Sequence, residues 1–235
     1  MRAYCVGDVH GRDDLLAEMA ERVKADLNES SLETVTVFLG DYVDRGLGSV
    51  RVVARLARGE WPTSIVALRG NHEDLLLAFL EDASILASWR ELGGLETLHS
   101  YGVNVGSAMA GRDFETVQRE FAGRFPQEHR QFLEGLKLST SIGDYYFCHA
   151  GVRPGVPLDR QDRGDLLNIR QTFLSSAAEH GKLIVHGHTP STDPEIRPNR
   201  IGIDTAAYAT NRLTCLVLEQ DQRRFMQAGA AQEAK

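Results

Sequence analysis

In the first third of the chain, short continuous apolar runs alternate with longer stretches whose apolar residues recur every three or four positions. Residues 3–6 form such a run, ended by Gly7, and read as a buried strand. Leu15, Leu16, Met19, Ala20, Val23 and Leu27 follow at helical spacing behind Asp13 and Asp14, which offer N-cap chemistry. The pattern therefore predicts a helix over residues 13–26. Residues 34–39 predict a second strand ending at Gly40, and Val50, Val53, Ala54 and Ala57 predict a helix over 49–58, stopped by Gly59 and Pro62. A third strand over 64–68 runs into Arg69 and Gly70, with a helix expected over 73–82. Strand, glycine and helix thus repeat three times, the pattern of βαβ units in a doubly wound sheet.

The rhythm weakens from residue 84 to residue 135. Helical fragments at 85–91, 114–121 and 128–136 surround a small-residue run at 102–111. This segment reads as a mostly helical insertion or cap within a single domain of residues 1–220. Beyond it, strands are expected at 137–142 and 145–148, joined by a turn at Gly143-Asp144, and again at 182–186, 200–204 and 212–219. A helix is expected over 165–178 and a proline-rich loop over 190–198. Residues 221–235 read as a flexible tail, frayed in its Ala/Gln/Glu-rich end after Gln227.

Polar chemistry gathers where the predicted strands end. The clusters are Gly7-Asp8-Val9-His10-Gly11, Gly40-Asp41-Tyr42-Val43-Asp44-Arg45-Gly46, Gly70-Asn71-His72-Glu73, His149-Ala150-Gly151 and Gly187-His188-Thr189. In open α/β sheets the ligand crevice lies at the carboxyl ends of the strands. Asp8 and His10 are two positions apart, so an extended backbone aims both side chains the same way. Asp41 suits a carboxylate shared between metal ions, Asn71 adds a neutral amide oxygen, and His149 and His188 add imidazoles. Any one cluster alone also reads as a surface turn or a helix cap. Together and in order they point to a pair of divalent cations, the arrangement that clamps attacking and leaving oxygens in phosphoryl transfer. Oxygen and imidazole donors without thiolate suit Mn²⁺ first, with Fe or Zn as alternatives. His99, His129 and His180 lie outside the clusters, and His186 reads as a plain strand residue.

Composition narrows the picture. A length of 235 residues with 42% hydrophobic content suits one large domain with a substantial core. A formal net charge of −7 argues against nucleic acid as a bulk electrostatic partner. Cys5, Cys148 and Cys215 sit inside apolar runs and read as reduced, buried thiols, which suits the cytoplasm. No apolar stretch approaches the ~18 residues of a membrane span, so no membrane partner is expected. Residues 1–6 do not resemble a signal peptide, and export by a cleaved leader is not expected.

The ordered motif set resembles the PPP family of metal-dependent phosphatases, and within it the compact bacterial serine/threonine phosphatases and the phage lambda phosphatase. The likeness spans residues 3–219. It implies a calcineurin-like metallophosphoesterase fold, an α/β architecture of the four-layer α+β type with a central β-sandwich flanked by helices, in place of one doubly wound sheet. It implies Asp8, His10 and Asp41 on one metal ion, and Asp41, Asn71, His149 and His188 on the other. His72 would be the general acid, oriented by Asp44, and Arg45 would grip phosphate. Arg69 and Arg170 match further functional arginines, although Asn168 stands where tryptophan is usual. Ala206, in Ile203-Asp204-Thr205-Ala206-Ala207, stands where the family carries glycine.

The implied function is hydrolysis of phosphoserine and phosphothreonine monoesters, extending to phosphotyrosine, by attack of a metal-bridging hydroxide. The substrate would be a phosphoprotein or a small phosphoester. The alternative is a symmetric bis(5'-nucleosyl)-tetraphosphate hydrolase, which carries the same motifs. Segment 84–135 is expected to roof the cleft and discriminate between them, with Trp89, Arg90, Tyr101 and Phe114 available as stacking platforms. A catalytically inactive scaffold is a third reading, disfavoured because every ligand position is filled.

Overall fold

The computed structural model describes residues 1–27 and 32–229. Its first half follows the predicted rhythm: β1 (Arg2–Val6), α1 (Asp13–Leu27), β2 (Thr34–Phe38), α2 (Ser49–Ala57), β3 (Ser64–Ala67) and α3 (Asn71–Glu81). Asp13 and Asp14 lie in the first turn of α1, and Asp13 binds Arg51 and Arg55 of α2. The insertion holds α4 (Leu86–Trp89), α5 (Gly94–Ser100), α6 (Gly106–Met109), α7 (Phe114–Arg124) and α8 (Gln127–Glu134). The second half carries β4 (Ser139–Ile142), β5 (Tyr145–Cys148), α9 (Arg163–Asn168), α10 (Gln171–Leu174), β6 (Leu183–His186), β7 (Glu195–Ile196), β8 (Arg200–Gly202), α11 (Ala207–Thr210), β9 (Leu213–Glu219) and β10 (Gln222–Ala228).

The strands form two five-stranded sheets, ordered β10-β9-β1-β2-β3 and β4-β5-β6-β8-β7. The doubly wound expectation is therefore corrected. β1, β2 and β3 do pair in parallel, but β9 returns antiparallel to β1 and closes the first sheet from the far end of the chain. Side-chain alternation explains the layering. Ala3 and Cys5 face Phe147, Val185 and Ile201 of the second sheet and Ile203 just beyond it, while Tyr4 and Val6 face the helical core with Leu16, Met19, Val53 and Phe79. On the outer face of the second sheet, Tyr146, Cys148 and Ile184 pack with Leu166 and Phe173 of α9 and α10. The result is helices, sheet, sheet, helices. Every residue of β1 is buried because both faces are covered.

Two expectations need revision. The tail assigned to 221–235 is ordered as β10 over Gln222–Ala228, where Arg224 binds Asp26; residues 230–235 lie outside those described. The helix expected over 165–178 is interrupted after Asn168, because Arg170 takes φ −129° and ψ −103°. All three cysteines are free and buried, and no helix among the described residues is long and apolar enough to cross a membrane.

Candidate metal centre and active site

The predicted clusters converge at the strand ends. Loops after β1, β2, β5 and β6, with the start of α3, bring Asp8, His10, Asp41, Asn71, His149 and His188 together. The loops are contorted to do so. His10, Asp41, Asp44, Arg45, His188 and Ala206 have φ between 45° and 73°, a conformation costly for residues with a Cβ. Glu73 holds the shape: its carboxylate accepts N–H bonds from Asp41, Tyr42 and Gly70 at 2.7–2.9 Å. The motif reading gave Glu73 no role, although its place three residues after Gly70 is the capping-box signal.

Glycine is required at two close approaches. A Cβ on Gly70 would stand 2.0 Å from Asp41 Oδ1, and one on Gly187 would stand 2.0 Å from Asp8 Oδ1. Side chains there would displace the carboxylates they adjoin.

Asp41 sits between two donor groups. Its Oδ1 is 3.4 Å from His149 Nε2, and its Oδ2 is 3.5 Å from His10 Nε2. Asn71 Oδ1 lies 3.0 Å from His149 Nε2 and 2.9 Å from His188 Nδ1, and those two nitrogens are 3.2 Å apart. The tautomers follow from the backbone. His10 Nδ1 donates to Val43 O at 2.8 Å and His149 Nδ1 to Leu39 O at 2.9 Å, which leaves lone pairs on both Nε2 atoms. Oxygen and nitrogen lone pairs thus face one another across short gaps, an arrangement a cation stabilises and its absence does not.

Charge leads to the same conclusion. Burial first, then Asp204 and Asp41, pushes the Asp8 carboxyl well above its usual range. Asp41 is likewise raised, chiefly by burial. Burial drives His10 and His149 well below the usual imidazole value, and burial with the Arg170 charge takes His188 down to about 3. Neutral imidazoles beside crowded carboxylates are the ligand state for a divalent ion. Asp8 fits as well: Oδ2 accepts the His188 N–H at 3.0 Å, while buried Oδ1 has no partner among the described residues. The donor set therefore fits two cations, one near Asp8, His10 and Asp41, and one near Asp41, Asn71, His149 and His188.

His72 is close enough to His10 and Asp41 to count geometrically as a ligand, with Nε2 3.7 Å from Asp41 Oδ2. Its electrostatics set it apart. Burial works against its charge, but Asp41 and a 2.6 Å hydrogen bond from Nδ1 to Asp44 outweigh burial and raise it to about 9. A protonated imidazole donates and does not ligate.

The arginines divide. Arg45 Nη2 lies 3.5 Å from His72 Nε2, beside the cleft. Arg170 is exposed, its guanidinium makes no hydrogen bond or ion pair among the described residues, and its charge is felt at His188 and Asp204. The break between α9 and α10 gives it that position. Arg69 departs from expectation. Its guanidinium binds Asp74 and the carbonyls of Leu133 and Glu134, capping the end of α8.

The stacking residues also differ from expectation. Trp89 and Tyr101 are buried in the helical core, Tyr101 bonded to His129 at 2.8 Å, and Arg90 lies over the Phe114 ring at 5.9 Å. Tyr208 at the site was missed. It is 38% exposed, its ring 4.5 Å beneath the Arg45 guanidinium and 5.4 Å from the His10 ring. It directly follows the Ile203-Asp204-Thr205-Ala206-Ala207 segment, so its place beside that motif was a signal that went unused. Asp204, quoted only as part of a motif, adds a third buried carboxylate.

These features define a phosphoester-hydrolase class of site. A sequence model of the calcineurin-like phosphoesterase family matches residues 1–217, and the chain belongs to that family. A bis(5'-nucleosyl)-tetraphosphatase PrpE [asymmetrical] from Bacillus velezensis is 27% identical over 89% of this chain and 86% of its own length. A crystal structure described as a putative diadenosine tetraphosphatase superposes with TM-score 0.66 at 19% identity, covering 98% of this chain and 95% of that one. A protein serine/threonine phosphatase from Saccharomyces cerevisiae superposes with TM-score 0.60 at 16% identity, covering 100% and 81%. The structural likenesses at these identities speak to the fold.

Ala206 yields a stability prediction. Its φ of 52° and ψ of 53° are left-handed, the region glycine adopts without strain. Ala206→Gly should raise the free energy of unfolding by up to about 1 kcal/mol, net of the added chain entropy. Denaturant melts of both proteins test this; a lower midpoint with an unchanged slope would contradict it.

Proposed function

We propose that this protein is a two-metal hydrolase that cleaves the phosphate chain of dinucleoside tetraphosphates. The observation that carries the reading is the exposed Tyr208 ring beneath Arg45 at the metal cleft. A nucleobase has a flat face to lay on such a ring, and base stacking of this kind is worth ~1–3 kcal/mol. A phosphoserine or phosphothreonine side chain has none. The Bacillus velezensis relative, similar along nearly the whole chain, carries a bis(5'-nucleosyl)-tetraphosphatase name and supports the same reading.

When bound, two divalent cations supply the charge that activates water and draws electron density from the phosphoryl oxygens. The chain's own residues do the rest. Asp8, His10 and Asp41 hold one cation, and Asp41, Asn71, His149 and His188 the other. Arg45 and Arg170 bind the phosphoryl oxygens, a task for which a planar guanidinium is suited. His72 faces the cleft through Nε2 and gives that proton to the leaving oxygen as the P–O bond breaks. The imidazole is left neutral, with its Nδ1 proton still bonded to Asp44.

One observation favours a second reading, phosphoserine or phosphothreonine monoester hydrolysis. A well-held proton donor matters most for a poor leaving group such as an alkoxide, and least for a nucleotide phosphate. The two readings part in a direct comparison with Mn²⁺ present. Diadenosine tetraphosphate should be turned over with kcat/KM well above that for a phosphoserine or phosphotyrosine peptide, and the reverse order would favour the second reading. Chelation should abolish both activities, and hydrolysis that survives complete metal removal would overturn the two-metal assignment.

His72→Asn separates the acid role from the metal role. It should lower turnover of phenyl phosphate by ~10²–10⁴-fold, and that of p-nitrophenyl phosphate far less, because nitrophenolate leaves without a proton. Equal losses on the two esters would remove His72 from that role.

A further inference from the structure

We propose that Trp89 and Thr97, both from the helical insertion, are positioning residues that hold the Asp44 carboxylate for His72. The proposal rests on the reading of His72 as proton donor, and it holds for either substrate class. Asp44 is fully buried and stands at φ 73°, a conformation its own backbone does not favour. Something outside the loop must fix it, and the contacts identify what does. Trp89 Nε1 donates to Asp44 Oδ2 at 2.7 Å, the same oxygen that accepts His72 Nδ1 at 2.6 Å. Thr97 Oγ1 donates to the other oxygen at 2.6 Å and accepts the Asp44 N–H at 2.8 Å. Both carboxylate oxygens and the backbone amide of Asp44 are thereby held by a tryptophan in α4 and a threonine in α5.

Each contact is direct and dry. Trp89 and Thr97 are both fully buried, and the Trp89 ring is wedged against Phe79 and Phe121 at 5.2 and 6.4 Å between centroids. An indole donor fixed by packing has one direction in which to point, and that direction is Asp44. Asp44 Oδ2 thus accepts from Trp89 and from His72 together, and a carboxylate fixed by Trp89 and Thr97 fixes in turn the Nδ1 end of the imidazole. That orientation turns Nε2 toward Arg45, where a leaving oxygen would stand. The insertion thus reaches the reaction through the acid's carboxylate.

A purely structural role for these residues would lower activity on all esters alike, so the leaving group is the readout. The experiment compares wild type, Trp89→Phe, Thr97→Val and Thr97→Ser, loaded with Mn²⁺, on phenyl phosphate and p-nitrophenyl phosphate, with melting temperatures recorded alongside. Trp89→Phe keeps the ring and removes the donor; Thr97→Val keeps the shape and removes the hydroxyl. Each should lose about tenfold or more in kcat on phenyl phosphate, as loss of an outer orienting contact typically costs, and much less on p-nitrophenyl phosphate. Thr97→Ser should restore the wild-type ratio. Equal losses on both esters in folded variants would overturn the proposal. A wild-type enzyme insensitive to His72→Asn on phenyl phosphate would instead overturn the acid reading beneath it, so the two failures are distinct.

Discussion

Three carboxylates and three neutral imidazoles are buried at one point in this molecule with too little positive charge of their own to balance them. Asp8, Asp41 and Asp204 crowd together, and the lone pairs of His10, His149, His188 and Asn71 face inward toward Asp41. Burying an unpaired charge is among the most costly things a fold can do. Divalent cations resolve the conflict, and much of the local architecture is intelligible as preparation for them. Backbone carbonyls of Leu39 and Val43 set imidazole tautomers, Gly70 and Gly187 leave room for carboxylate oxygens, and the strained loops are braced by Glu73 from the helix that follows.

The same economy separates His72 from its neighbours. It lies among the ligands, yet its second nitrogen meets a carboxylate where those of His10 and His149 meet carbonyls. That single difference turns an imidazole that would bind metal into one that carries a proton. Beside it, half-buried Arg45 links the centre to the surface, stacked on the exposed ring of Tyr208.

Much of this was legible in the sequence because strand ends and glycines are local signals. The clusters from Asp8 to His188 were readable from their residues alone, and the strand and helix rhythm around them survives with edges moved by a few positions. What was illegible depends on long-range contact. The pairing of Arg2–Val6 with Leu213–Glu219 has no local signature, so periodicity suggested one doubly wound sheet until the motif resemblance implied two. β10 is the exception, a local hairpin partner of β9 that was taken for tail because it opens on polar Gln222, Arg223 and Arg224 and its apolar stretch is short. Trp89 and Tyr101 invited a surface role by their place in an irregular segment, whereas packing with Phe79, Phe121 and Phe125 draws them inside. Arg69 likewise sits beside a motif yet serves the end of α8.

The central claim, that the buried donors exist to hold two cations, is tested most directly by counting them. Metal-free protein titrated with Mn²⁺ in a calorimeter, and checked by elemental analysis after gel filtration, should bind two ions per chain. Asn71→Ala and His10→Ala should each reduce that number by one or weaken one site selectively. Binding of no ion by the intact, folded chain, or of a single ion lost equally in both variants, would contradict the account.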